Sequence, residues 1–161
     1  MKKNIKIYYN TVYPSSRERS EFFAAIGLGV DAVIIECYAS GAVPVTGKGS
    51  VLPVIEAANK KNIPVFLTFG SAEGLPAFTE WTDFKERVMP GIYETQAKAI
   101  ALGAVPLERD STQKNEVVAE MEKIFKNVSG YKRRIKAVRE HFNSQEFDKR
   151  IDYVVRYMKK R

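Results

Sequence analysis

The chain predicts an α/β domain: a small Rossmann-like, four-stranded parallel sheet with helices on both faces, followed by a basic helical hairpin. Three observations carry this reading. Short runs rich in β-branched and aromatic residues alternate with helix-length amphipathic segments. The run Ala32 to Ile35 is apolar without alternation, as expected of a strand buried on both faces. The charge divides sharply: residues 1–126 hold 15 Lys+Arg against 15 Asp+Glu, whereas residues 127–161 hold 11 against 4. The net charge of +7 therefore sits entirely in the last 35 residues.

Taken in order, Ile5 to Tyr9 (IKIYY) reads as the first strand. Tyr13-Pro14 breaks it, because proline fixes φ and biases the preceding residue away from helix. Ser15 or Ser16 then caps a helix over Arg17 to Leu28, with Phe22, Phe23 and Ile26 on its inner face. Gly27 and Gly29 end it, and Ala32 to Glu36 is the second strand. A small-residue loop closed by Gly41 and Pro44 leads to a helix over Val51 to Lys61. Pro53 is tolerated there because first-turn N–H groups lack an intrahelical partner. Asn62 closes that helix, and Ile63 to Phe69 is the third strand. Gly70 to Pro90 has a weak pattern around a short helix at Trp81 to Val88. A helix over Thr95 to Leu102, a strand over Ala104 to Pro106, and a helix capped by Asp110, Ser111 or Thr112 and running to Phe125 complete the body.

The tail has a different pattern. Tyr131, Ile135, Val138 and Phe142 recur at spacings of 4, 3 and 4, as do Phe147, Ile151, Val154 and Met158. Each set forms one stripe along a helix, and His141 to Ser144 is the turn between them. The expected organisation is an α/β domain over residues 1–126 and a basic amphipathic extension over 127–161.

A chain of 161 residues is long enough to bury a core without disulfide or metal staples. Cys37 is the sole cysteine, which excludes an internal disulfide and points to a reducing, cytoplasmic compartment. The N-terminal stretch lacks the apolar core of a signal peptide, and no run approaches the ~20 apolar residues of a membrane span. No metal site, cofactor or membrane partner is expected.

In parallel sheets ligands sit beyond the carboxyl ends of the strands. Those ends are Asn10 to Pro14, Glu36 to Pro44, Thr68 to Gly74 and Leu107 to Asp110. Glu36 either positions a ligand amine or caps its loop. Cys37 lacks a nearby histidine in sequence, since the only His is His141 in the tail, so it reads as a small buried residue rather than a nucleophile. Gly47-Lys48-Gly49-Ser50 precedes a helix and resembles an anion-binding turn, but it lacks the Walker spacing. Lys132, Arg133, Arg134, Lys136 and Arg139 read either as a solvated helix face or as a surface for nucleic acid or an acidic protein.

From Asp31 to Pro44 onward, the order of several short motifs resembles the C-terminal domain of type I asparaginases and of the asparaginase-like subunit of archaeal glutamyl-tRNA amidotransferase. Tyr38, Gly41 and Pro44 match its G-x-G-x-G-N-x-P loop. Leu52 to Asn59 and Pro64 to Thr68 match the helix and strand that follow, and Tyr93-Glu94-Thr95 matches Y-E-T-G. Gly103 with Pro106 matches G-x-x-P, and Asp110 with Thr112 matches the last motif. The resemblance covers roughly residues 3 to 125. It implies an amidohydrolase ancestry in which this domain supplies secondary contacts to an active site, often across a dimer.

The departures bear on function. The catalytic threonines of that family, including T-G-G-T, lie in an N-terminal domain that this sequence does not contain, so no catalytic residue is assigned. Ala42 stands where the family places Asn, Phe69-Gly70 replaces Ser-Gln, and Gln96 replaces the Gly of Y-E-T-G. The resulting expectation is a stand-alone interaction or oligomerisation module, hence a homodimer or a chain that joins a separate catalytic-domain protein. The alternative is the C-terminal half of a split asparaginase or glutaminase. The ligand loop expected on either reading comprises Glu36, Tyr38, Ser40, Gly41, Ala42, Thr68, Tyr93 and Glu94.

Overall fold

The computed structural model describes residues 4–12, 16–72, 74 and 92–160. The Tyr13-Pro14 break, Ser15 and the expected helix at Trp81 to Val88 fall outside them. The elements run β1 (Ile7–Thr11), α1 (Ser16–Gly27), β2 (Ala32–Glu36), α2 (Leu52–Lys60), β3 (Val65–Phe69), α3 (Ile92–Ala101) and β4 (Val105–Asp110). A short 3-10 turn (Ser111–Gln113) leads to α4 (Lys114–Asn127), α5 (Tyr131–Phe142) and α6 (Gln145–Lys160).

All four strands are parallel, in the order β1-β2-β3-β4. This order decides where the helices go. Successive crossovers of one hand between neighbouring strands place every connecting helix on the same face. Phe22 and Ile26 of α1, Val54, Ile55 and Ala58 of α2, and Ala99 of α3 accordingly share one apolar cluster with Val33, Ile35, Val65 and Leu67. The opposite face presents Ala32, Ile34, Phe66 and Leu107. It is covered by Val117, Met121 and Phe125 of α4 together with Val138 and Phe142 of α5. Both faces are helix-covered, and half of the second cover comes from the basic tail.

The remaining tail helix covers something else. Phe147, Ile151 and Val154 of α6 pack on Ala97 and Ile100 of α3 and on Phe69. The turn between α5 and α6 is pinned to the edge strand β4. The Asn143 side chain accepts from the Glu108 N–H at 2.8 Å and donates to the Pro106 carbonyl at 3.0 Å. It thus occupies edge groups that would otherwise be open to another strand. Arg109 donates to the Phe142 carbonyl at 2.8 Å, and the Ser144 N–H donates to Glu108 at 2.8 Å.

Several expectations are adjusted. β1 lies two residues further along than the apolar run implied, and β4 extends to Asp110. Phe23 is 42% exposed instead of facing inward, while Phe22 and Ile26 are buried. Asp110 is the cap, its carboxylate accepting from the Thr112 N–H at 2.8 Å. Asn62 closes α2 with a positive φ of 57°, a conformation Asn tolerates better than most residues.

Candidate functional site at the carboxyl edge of the sheet

Two groups of residues meet at the carboxyl edge, one on each face. On the α4 face, strand alternation points Tyr9, Glu36 and Thr68 the same way, and Glu36 pairs directly with Thr68 in the register. The Tyr9 hydroxyl lies 2.7 Å from Thr68 Oγ1 and donates to Glu36 Oε1 at 3.3 Å. With the Tyr9 proton directed to Glu36, Thr68 donates to Tyr9, which gives a two-step chain ending on the carboxylate. Lys114, the first residue of α4, holds its ammonium 4.8 Å from the Tyr9 ring centroid.

Burial sets the proton affinities here. It raises the Tyr9 phenol well above its ordinary value; the Thr68 hydrogen bond opposes this and the neighbouring Glu36 adds to it. Glu36 is raised by partial burial, and the Tyr9 hydrogen bond and the Lys114 charge pull it part of the way back. Thr68 is fully buried, so its hydroxyl orders the strand ends and does not face a ligand. Cys37 is also buried, and burial with the Glu36 charge pushes its thiol up. A neutral, enclosed thiol is a packing group, as the sequence reading expected.

The other group is the loop after β2, which closes on itself. The Tyr38 N–H donates to the Ala42 carbonyl at 2.9 Å and the Gly41 N–H to the Tyr38 carbonyl at 2.8 Å. Gly41 has φ +90°, which favours glycine. A Cβ at Gly41 would also stand 2.5 Å from Gln96 Nε2 and 3.2 Å from the Phe69 ring. Gln96, only 2% exposed, donates to the Gly41 carbonyl at 2.6 Å. The Val43 N–H donates to Thr95 Oγ1 at 3.3 Å, and Ser71 Oγ donates to the Ala39 carbonyl at 3.0 Å. The polar backbone of the loop is thus taken up by α3 and by the chain after β3. Gln96 and Phe69, two of the departures seen in sequence, are the side chains that fill the space beside Gly41.

The expected ligand residues are therefore dispersed. Glu36 and Thr68 meet on one face. Tyr38 packs partly buried against the α1–α2 cluster, Gly41 and Ala42 lie in the closed loop, and Ser40 is exposed. Glu94 pairs on the surface with Lys98 at 3.3 Å. Tyr93 is in the first turn of α3, its side chain outside the described residues. Tyr9, Gln96 and Lys114 were missed. Only the period-two alternation from Ile7 could have placed Tyr9 beside Glu36, and it needed the register.

Within the glycine turn at 47–50, the Ser50 N–H donates to the Gly47 carbonyl at 3.2 Å. Arg19 Nε donates to the Gly49 carbonyl, and Ser50 Oγ accepts from the Leu52 N–H at 3.2 Å, serving the first turn of α2. Among the described residues no group of three metal-ligating side chains occurs. No helix among them is long and apolar enough to cross a membrane.

The five Lys and Arg residues of α5 separate into two kinds. Arg134 is enclosed: it lies 3.7 Å from Asp31, donates to the Val128 and Phe125 carbonyls, and covers the Phe125 ring. Its guanidinium thereby satisfies the carbonyls at the end of α4. Arg139 reaches across the turn to Asp148 at 3.1 Å and Asp152 at 2.9 Å. Lys132, Arg133 and Lys136 are exposed, and Lys136 meets only Glu140, at 4.0 Å.

Comparison of the chain with protein-family models, with curated proteins and with solved structures gave no match.

Proposed function

We propose that this chain is a non-hydrolytic interaction module. Its α/β body is related to the asparaginase C-terminal domain, and its basic C-terminal helices provide the contact surface. One observation supports this above the rest: Gln96 donates to the Gly41 carbonyl and its Nε2 stands 2.5 Å from where a Cβ on Gly41 would lie, in the loop to which the resemblance assigns the contacts to a small amide. A ligand would need to displace a buried hydrogen bond and refill the space, and the loss of one such bond costs ~1–3 kcal/mol when its partner is left unpaired. The one-sided strand order adds support, because among the described strands it offers no reversal of the kind at which open α/β sheets form their binding crevice.

On this reading the protein works in the reducing cytosol, as a homodimer or bound to an acidic partner. The test is ammonia release from asparagine and glutamine by the isolated protein, alongside its mass in solution. No release above the buffer blank is expected. Enzyme-dependent release would overturn the proposal.

A second reading keeps the chain as half of a split amidohydrolase. It is favoured by Glu36, whose carboxylate is only partly buried at the carboxyl edge and can face a partner domain. Mixing with a domain that carries the T-G-G-T motif would then restore ammonia release, and Glu36→Gln would abolish it. Unchanged silence on mixing eliminates this reading.

A further inference from the structure

The two edges of the sheet are finished differently. At β4 the Asn143 side chain occupies the Glu108 N–H and the Pro106 carbonyl. At β1 no described element does the same, and β1 pairs only with β2. The Val12 N–H donates to the Glu36 carbonyl and the Asp31 N–H to the Lys6 carbonyl, so the even-numbered residues of this stretch turn their backbone groups towards β2. The N–H and C=O groups of Ile7 and Tyr9 therefore point out of the sheet, with no partner among the described residues. The next outward N–H, that of Thr11, is taken by Asn10 Oδ1 at 2.8 Å.

An open strand edge is a template for another strand. We infer that β1 pairs antiparallel with β1 of a second copy, about a two-fold axis at Tyr8, so that the two four-stranded sheets continue into one. The inference rests on the homodimer of the proposed function and names its surface.

The observations select a second copy in this register. With the β4 edge occupied, a copy cannot add head to tail, so the contact uses the same patch on both chains. Ile7 then faces Tyr9 of the second copy, and the pair exchanges both N–H···O bonds, twice over by symmetry. Pairing stops at Thr11, whose N–H Asn10 has already claimed. Charge matches as well. Lys6 is exposed and has no carboxylate partner among the described residues. It comes opposite Asn10 of the second copy, whose amide donates to Glu21 at 3.0 Å. On the other face, Ile7 and Tyr9 pack against the α4 cluster and become an aliphatic–aromatic pair across the seam. A strand of another protein would have to supply this pattern; β1 supplies it to itself.

The test is the mass of the full chain by sedimentation equilibrium, together with cross-linking in a Cys37→Ala background. A reversible dimer of twice 18.2 kDa is expected. Ile7→Pro removes an outward N–H and keeps an apolar side chain, a change that edge strands tolerate. It should weaken self-association about tenfold or more, with a far-UV circular dichroism spectrum like the parent's. Lys6→Glu should weaken it about threefold, and Lys6→Glu with Glu21→Lys should restore it. Tyr8→Cys should form an intermolecular disulfide on mild oxidation, since the axis brings its two Cα atoms to about 4.5 Å. Lys6→Cys should not, because its two copies stand about 14 Å apart along the seam.

A chain that stays monomeric overturns the inference, as does a dimer indifferent to both Ile7→Pro and Lys6→Glu. Preferential cross-linking through Lys6→Cys overturns it too. If Ile7→Pro does not fold, the two cysteine variants decide. A dimer formed through another surface leaves the non-hydrolytic reading in place, whereas ammonia release overturns that reading whatever the mass.

Discussion

Gln96 donates to the carbonyl of Gly41 at 2.6 Å, across 55 residues of sequence and from a helix to a loop. The bond joins the first part of α3 to the turn after β2. Behind α3 lies α6, whose Phe147, Ile151 and Val154 bury its outer side. The C-terminal helix therefore backs the helix that closes the loop.

Replacing Gln96 tests this closure. Gln96→Ala leaves the Gly41 carbonyl unpaired and a small void, and should lower stability by about 1–3 kcal/mol in urea unfolding. It should not create amide hydrolysis, since no activated nucleophile faces the vacated space among the described residues. Ammonia release by the variant would contradict that account.

The tail should be inseparable from the body. Phe142→Ala should cost about 3–5 kcal/mol, the range for a large core aromatic, because Phe142 is 2% exposed within the cluster of Ile34, Phe66 and Leu107. Removing residues 127–161 strips half the cover of that face. The truncated chain should lose cooperative unfolding and bind a hydrophobic dye, measurable by circular dichroism and fluorescence. A truncated body that unfolds as sharply as the full chain would show that α4 alone suffices.

Neighbouring basic residues should differ in their effect. Arg134→Ala removes the cation 3.7 Å from Asp31 and the hydrogen bonds to the Val128 and Phe125 carbonyls, and should cost about 1–3 kcal/mol. Lys132→Ala changes a solvated side chain and should stay within about 0.5 kcal/mol. Chemical denaturation of both variants under one buffer makes the comparison direct.

Glu36 should give stability a pH dependence of defined sign. Its folded carboxyl titrates above the ordinary value of 4.5 because of partial burial. The folded state then holds the proton more tightly than the unfolded state does. This contribution is complete below the unfolded pKa and is lost as pH rises through the folded one. Glu36→Gln should therefore gain on the parent as pH is raised from about 4 towards 7, then hold a constant difference. A difference that stays flat across that interval would remove the burial argument.

Local chemistry made much of the fold legible. The apolar run at Ala32 to Ile35, the Asp110 cap, Asn62 at the end of α2 and the two tail stripes all carry signals within one element. The site was far less legible. Tyr9 meets Thr68 across 59 residues, and Gln96 reached Gly41 at a position where the sequence showed only a departure from a glycine. The five cations of α5 formed one cluster on paper, yet Arg134 and Arg139 are tied to groups elsewhere in the fold and Lys132, Arg133 and Lys136 are exposed.

By itself the sequence determined a parallel α/β body, a basic amphipathic extension and a loop glycine after the second strand. These follow from periodicity, capping and composition, which act within a few residues. Tertiary structure alone decided that the extension covers the open face of the sheet and that α3 fills the loop. The reason is topological: strands in sequential order place their crossover helices on one face, so the other must be buried by whatever chain remains. Which side chains then meet depends on register and helix rotation, and neither is encoded within a single element.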